Sequence, residues 1–317
     1  MDPVSHLLRM ARVMANLDRH CLLGGSTKMA VPQRQHLEAQ FHVLLEGECQ
    51  LLMAGAVLEM KPGDFVLIPS GSPHRIITPG QGTMRTTTEV AGDSFITTHS
   101  SDGGSPVIDL FCGHYAFDSG AGAVLFRSLP DPVHVALGAS PKGDRTLRML
   151  STLMRDEAQY TGTGTAAILS ALSTVLLAMV LRATGGSATE ALWTAASDPR
   201  IARTIESVLK DPGADWPIER LAREAAMSRA TFLRHFTHET GMTVGVFVTR
   251  SRVMAAAELL ASSDATIATI AGQVGYQSES AFTRAFRSEI GQTPARFRRD
   301  QRGHSGRTTP PGKSLIP

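Results

Sequence analysis

Two stretches fifty residues apart carry the same potential chemistry. Ser228-Arg229-Ala230-Thr231-Phe232-Leu233-Arg234-His235-Phe236 is echoed by Ser278-Glu279-Ser280-Ala281-Phe282-Thr283-Arg284-Ala285-Phe286. Each sets one arginine between two phenylalanines. A guanidinium presents a planar fork of donors that fits a phosphate or the major-groove edge of guanine. Phenylalanines four residues apart line one face of a helix, so Arg234 and Arg284 must point elsewhere. Ser228 and Ser278 stand where an N-cap belongs, and Gly241 and Gly291 where a left-handed C-cap belongs. The register continues through Glu239 and Glu289, then Thr243 and Thr293. Each copy follows a short apolar segment and a tight turn, the helix-turn-helix arrangement. Pro294 opens a further helix that ends in Arg296, Arg298 and Arg299.

A second group of reactive side chains lies in the first half: Cys21, Cys49 and Cys112, with His36, His42 and His74. A thiol can be oxidised, or bind a soft metal once deprotonated. An imidazole can ligate a metal or hydrogen-bond a small molecule.

The elements that position these groups divide the chain in two. Its 317 residues, 42% hydrophobic and 19% charged, suit a globular protein with sizeable cores. Residues 198–302 hold 15 basic against 12 acidic side chains, whereas residues 1–197 hold 14 against 17. The basic excess therefore lies with the repeat, and there every basic residue but Lys210 is arginine. No signal peptide is legible at the N-terminus. The longest apolar stretch, 166–181, is broken by Ser170, Ser173 and Thr174 and falls short of the roughly 20 residues a membrane span needs. The expectation is a cytoplasmic protein with reduced cysteines and no membrane association.

In chain order, residues 1–20 read as a helix with Leu7, Leu8 and Val13 on one stripe. Strand character runs from about 22 to 136. Phe41–Leu45 and Cys49–Met53 read as a hairpin around Glu46-Gly47-Glu48. Lys61-Pro-Gly-Asp64 is a turn before a buried strand. Residues 79–106 read as loop or irregular strand, and Leu125–Leu129 and Val133–Leu137 as strands flanking Pro130-Asp-Pro132. Residues 143–183 turn helical, with Leu147, Leu150, Leu153 and Met154 on one stripe and 166–182 apolar nearly all round. This pair is a candidate dimerisation element; packing back on the strand-rich region, a small β-barrel or jelly roll by its spacing, is the alternative. The expected organisation is a sensor domain over 1–140, a helical element over 141–184 and a linker over 185–198. A double helix-turn-helix domain over 199–300 and a disordered tail over 301–317 follow. Residues 244–261 read as one long helix joining the two repeat units.

Residues 198–300 resemble the DNA-binding domain of the AraC family of bacterial transcription regulators. The repeat carries the resemblance, with Ile218-Glu-Arg-Leu-Ala222, Ile267-Ala-Thr-Ile-Ala271 and Gly275-Tyr276. It implies double-stranded promoter DNA as ligand, RNA polymerase as partner and a homodimer. It places the family's base-facing positions on Ala230, Leu233 and Arg234, and on Ser280, Thr283 and Arg284. Ala230 and Leu233 cannot donate hydrogen bonds; they suit thymine methyls. Arg229, His235, Arg287 and Arg296 are candidates for the phosphate backbone, which positions without specifying.

The first half resembles a cupin domain: Gly63, Pro69, Gly71 and His74 fit the second cupin motif, with Thr78 where the motif has Asn. The first motif is degraded, its ligand positions falling on Arg34, His36 and Gln40. The fold class expected is therefore α+β: a cupin-like β-barrel with a helical hairpin, then an all-α DNA-binding domain. A catalytic metal needs about three protein ligands, so a non-enzyme without cofactor is expected, and a metal-dependent cupin enzyme fused to a DNA anchor is the competing class. His36, His42 and His74 mark a candidate effector pocket. The layout around Cys21, Gly63, His74-Arg75 and Cys112-Gly113 also resembles AraC-type activators that respond to reactive chlorine. That resemblance implies a redox role for Cys21 and Cys112, with Arg19, His20 and His114 as neighbouring cations that would favour thiolate. Inert core packing of the thiols and a soft-metal site of Cys21, Cys112 and His114 remain open beside it.

Overall fold

The computed structural model describes residues 3–305, apart from 81, 93, 102–104, 140, 160–161, 184–195 and 197. Most of the expected linker and residues 306–317 of the expected tail lie outside the described residues.

A short helix, α1 (Pro3–Ala11), leads into β1 (Met14–Leu23). The expected N-terminal helix thus ends early, and Cys21 sits in mid-strand. The chain continues through β2 (Lys28–Val31), β3 (Glu38–Glu46), β4 (Cys49–Met53), β5 (Ala56–Met60), β6 (Asp64–Ile68) and β7 (His74–Ile77). Then come β8 (Thr87–Ala91), β9 (Ile96–Ser100), β10 (Ile108–Ala116), α2 (Ala121–Arg127) and β11 (Val133–Ala136). The strands form a seven-stranded sheet, β11-β6-β3-β10-β1-β9-β8, and a four-stranded sheet, β2-β7-β4-β5.

Residues 38–46 and 49–53 are not a hairpin: β3 pairs with β10 and β6, while β4 pairs with β5 and β7 in the other sheet. Gly47, at φ +76°, lets the chain cross between sheets. Residues 87–100 form an antiparallel pair rather than a loop. Leu125 lies in the helix α2, not in a strand. Gln301–Ser305 extend the last helix instead of beginning the tail. The Lys61–Asp64 turn is as expected, with Asp64 N–H donating to Lys61 O at 2.9 Å and Gly63 at φ +93°.

The barrel interior is filled by sulfur and aliphatic side chains, among them Cys21, Met29, Cys49, Met60 and Cys112. The outer face of the larger sheet carries Phe41, Phe65, Phe111 and Tyr115 under α3 (Pro141–Gln159) and α4 (Thr165–Leu181). Tyr115 Oη donates to Ser173 O at 2.8 Å and ties α4 to β10. Leu147, Leu150 and Met154 are buried as the stripe requires, but Leu153 is 52% exposed.

The C-terminal domain comprises α5 (Pro199–Lys210), α6 (Ile218–Glu224), α7 (Arg229–Thr240), α8 (Val244–Ser262), α9 (Ile267–Gln273), α10 (Glu279–Ile290) and α11 (Pro294–Ser305). Its core does not stop at the domain boundary. Leu7, Met10 and Ala11 of α1 and Ala121, Val124 and Leu125 of α2 join one cluster with Met254, Ala257 and Phe297. Gly120 permits this approach, since a Cβ there would meet Ala257 Cβ at 2.7 Å and Phe297 Cζ at 2.9 Å.

Candidate DNA interface and sensor site

The repeat builds two near-identical supports for two arginines. Ser228 Oγ accepts from Thr231 N–H at 3.2 Å and Ser278 Oγ from Ala281 N–H at 3.3 Å, so both serines cap as expected. Gly241 and Gly291 close the helices at φ +68° and +89°. Phe232, Phe236, Phe282 and Phe286 are buried, and each pair has its ring centroids 5.6 Å apart. Burying that face turns Arg234 and Arg284 outward, and both are exposed. Ala230 and Ser280 are exposed too, while Leu233 and Thr283 are half-buried beside the arginines.

The turns of the two units differ by one residue. Met227 N–H donates to Ala222 O and Tyr276 N–H to Ala271 O, both at 2.9 Å. Gln277 then precedes the Ser278 cap, whereas Met227 is followed at once by Ser228. Ala226 (φ +52°) and Gly275 (φ +84°) occupy the same left-handed position.

Among the other candidate DNA contacts, Arg287 is exposed, and Arg296 is exposed with Asp300 at 3.8 Å. Arg229 is exposed but pairs with Glu219 at 2.6 Å. His235 is half-buried, its Nδ1 lying 3.8 Å from the carboxylate of Asp198, the N-cap of α5.

In the N-terminal domain, Cys21 on β1 and Cys112 on β10 bring their Sγ atoms to 3.7 Å. The strands pair Arg19 with Cys112 and Cys21 with Leu110, so the two thiols are diagonal neighbours across the sheet. Met29 Sδ is also 3.7 Å from Cys21 Sγ. Burial pushes the Cys112 thiol well up from its ordinary value, and the hydrogen bond and charge of Cys21 add to this against a smaller lowering by Arg19. Burial likewise raises Cys49 to about 12.

The expected activating cations are mostly otherwise engaged. His20 stacks on Phe111 and bonds Asp109 Oδ1 at 2.9 Å. Burial acts to raise the Asp109 carboxyl, yet hydrogen bonds from His20 and Arg155 leave it lowered. His114 Nδ1 contacts Asp18 at 2.9 Å and its Nε2 is 3.3 Å from Asn16 Nδ2. Arg19 stays near the thiols, ion-paired to Glu89. No group of three or more His, Cys, Asp and Glu side chains among the described residues is placed to hold a metal ion, which leaves the trio of Cys21, Cys112 and His114 without support.

The three candidate pocket histidines do not converge. His42 Nε2 and His74 Nε2 lie 2.7 Å apart inside the barrel. Burial, the His74 charge and Arg34 push His42 well below 6.5, and burial lowers His74 too, against the hydrogen bond its Nδ1 donates to Ser72 O. His36 is exposed on the segment before β3 and lines a separate cavity. Sequence reasoning missed Phe126 and Arg127 at that cavity because 125–129 reads as a strand, and it gave Phe117 no role beyond the end of a strand. Arg34 and Gln40 were noticed only as failed metal ligands, yet Arg34 Nε, Gln40 Oε1 and His42 Nδ1 are buried without hydrogen-bond partners.

The Cupin family profile matches residues 2–184, and the Helix-turn-helix domain profile matches residues 221–300. An uncharacterized HTH-type transcriptional regulator of Haemophilus influenzae is 30% identical over 94% of this chain and 99% of its own length. The RCS-specific HTH-type transcriptional activator RclR of Escherichia coli is 26% identical over 94% of this chain and 97% of its own. Among solved structures, the DNA-binding domain of AdpA in complex with a target DNA is 31% identical at a TM-score of 0.33, covering 34% of this chain and 97% of that one. The chain therefore belongs to the AraC-type family of helix-turn-helix transcriptional regulators that carry a cupin domain ahead of the DNA-binding domain.

Proposed function

We propose that this transcription regulator reads promoter DNA with Arg234 and Arg284 and couples that reading to an effector sensed by the cupin domain. The observation that carries the reading is the matched outward placement of the two arginines on duplicated, identically capped helices. Each would make a bidentate contact to guanine, with Ser280 and Thr283 as flanking polar contacts and Ala230 and Leu233 against thymine methyls. Arg287 and Arg296 would hold phosphates, and Arg229 would join them only by releasing Glu219. The protein would act in the cytoplasm alongside RNA polymerase, as a regulator and not an enzyme; the relatives are transcriptional regulators. A gel-shift series with genomic fragments captured by the wild type tests the reading: Arg234→Ala and Arg284→Ala each weaken specific binding, and undiminished binding in both contradicts it.

The close approach of Cys21 and Cys112 favours an oxidant that couples two thiols as one signal, and the likeness to the RCS-specific activator RclR points to a chlorine species. Hypochlorous acid would convert one thiol to a sulfenyl chloride with release of water. The second thiol would then displace chloride, giving a disulfide and hydrogen chloride. Closing 3.7 Å to about 2.05 Å draws β1 and β10 together. Strand β1 follows α1, whose Leu7 and Met10 sit in the core shared with α8, so the strain has a route to the reader. Non-reducing mass spectrometry after hypochlorite treatment reads the linkage; its absence, with a DNA response equal in Cys21→Ser, counts against this signal.

A homodimer through α3 and α4 is part of the same proposal. Met149, Leu153, Ile168 and Val175 are 43–63% exposed on that helix pair, a run of apolar side chains left uncovered by the barrel.

A further inference from the structure

We propose that a cavity outside the barrel binds a hydroxylated aromatic carboxylate and reports its occupancy to α10 through Arg127. The cavity, of about 460 Å³, lies between the 33–38 segment, the Pro69-Ser70 corner and α2. That volume suits a small organic ligand. Phe117 and Phe126 stack 4.2 Å apart at 9° and give the cavity a flat apolar wall, which fits an aromatic ring.

The polar lining selects the substituents. Arg34 and Arg127 bring two guanidiniums, the side chains best shaped to hold a carboxylate. Arg34 gives one nitrogen to Asp18 while 28% of its side chain stays exposed. Glu38 and Asp131 also reach the lining. They disfavour a ligand with nothing but negative charge and suit one that carries a phenolic hydroxyl to donate.

The helix under the cavity is also the joint to the reader. Ala123, Phe126 and Arg127 of α2 line the cavity, while Ala121, Val124 and Leu125 pack in the core that holds α8 and α10. Arg127 Nη1 donates to Glu289 O at 2.9 Å, in the last turn of α10, and Glu289 Oε2 accepts from Arg250 Nε of α8 at 3.3 Å. A carboxylate that captures Arg127 competes with that carbonyl, so the ligand distinguishes a latched from a released end of the second reading helix. The proposal rests on the regulator reading for its purpose, but its test involves no DNA, so either can fail alone.

The reduced full-length chain is titrated calorimetrically with 6-hydroxy-2-naphthoate and with its methyl ester, and hydrogen exchange is followed over residues 286–292. The acid is expected to bind saturably, the ester at least ten-fold more weakly, and exchange over 286–292 to rise with the acid. Arg34→Gln should weaken binding at least ten-fold with partial rescue by Arg34→Lys, and Arg127→Gln should remove the exchange response. Ser70→Trp, at an exposed rim position, should block binding and serves if an arginine variant melts early. No saturable binding, equal affinity for acid and ester, or full binding by Ser70→Trp and Arg34→Gln overturns the site. Binding without an exchange response in the wild type overturns the latch.

Discussion

Arg284 is exposed between two buried phenylalanines, so its removal leaves the helix core untouched. Arg284→Ala should therefore cost roughly 1–3 kcal/mol at the specific site and relax preference at one base pair, as read by gel shift against matched and mismatched duplexes, with the melting temperature unchanged. The buried histidines make a different prediction. His42 and His74 resist protonation in the fold, with burial the main cause. An unfolded histidine takes up its proton near 6.5. The unfolded state thus binds more protons as pH drops through that value, and stability falls from about pH 7 downward until the depressed native values are reached. Denaturant midpoints measured from pH 8 to 5 should decline, and His42→Gln should flatten the decline; an equal slope in that variant contradicts the assignment.

At the scale of elements, the two turns invite a direct comparison. Ala226 holds a left-handed backbone at the position where the second unit has Gly275. A Cβ there costs about 1–2 kcal/mol, partly offset by the greater freedom of glycine in the unfolded chain. Ala226→Gly should stabilise the protein by about 0.5–1 kcal/mol in chemical denaturation, and a loss of stability would contradict this. The reader domain was legible because its signals are local: caps, i to i+4 aromatic pairs and C-cap glycines all lie within one turn of what they specify. The barrel was less so. Met14–His20 was absorbed into a preceding helix because a β-bulge between Leu17 and Arg19 breaks the alternation of β1. The apparent hairpin at Gly47 failed because sheet membership is decided by distant partners, β10 for β3 and β7 for β4. Helix α2, nearly all buried, has no polar face for a helical period to reveal. The cavity depends on that helix and was hidden with it, as was the 3.7 Å contact of two thiols 91 residues apart.

For the whole molecule, one continuous core from α1 and α2 into α8 and α11 means that sensor and reader are mechanically joined. Gly120 sits in that joint, where a Cβ would meet Ala257 and Phe297. Assembly is testable separately: Ile168→Glu with Val175→Glu places charge on the exposed stripe of α4 and should halve the mass seen in sedimentation equilibrium while leaving the fold intact. An unchanged mass in the charged variant, or a monomeric wild type, removes α4 from the interface. Under the proposed function, the joined architecture would present two arginine-bearing helices to one duplex at once. Its most direct test is selection of binding sites from a randomised duplex library by the wild type, Arg234→Ala and Arg284→Ala. The expected result is a two-part site with its halves about one helical turn apart, each variant losing preference in a different half. A single-part site, or the same two-part site recovered by both variants, would contradict it.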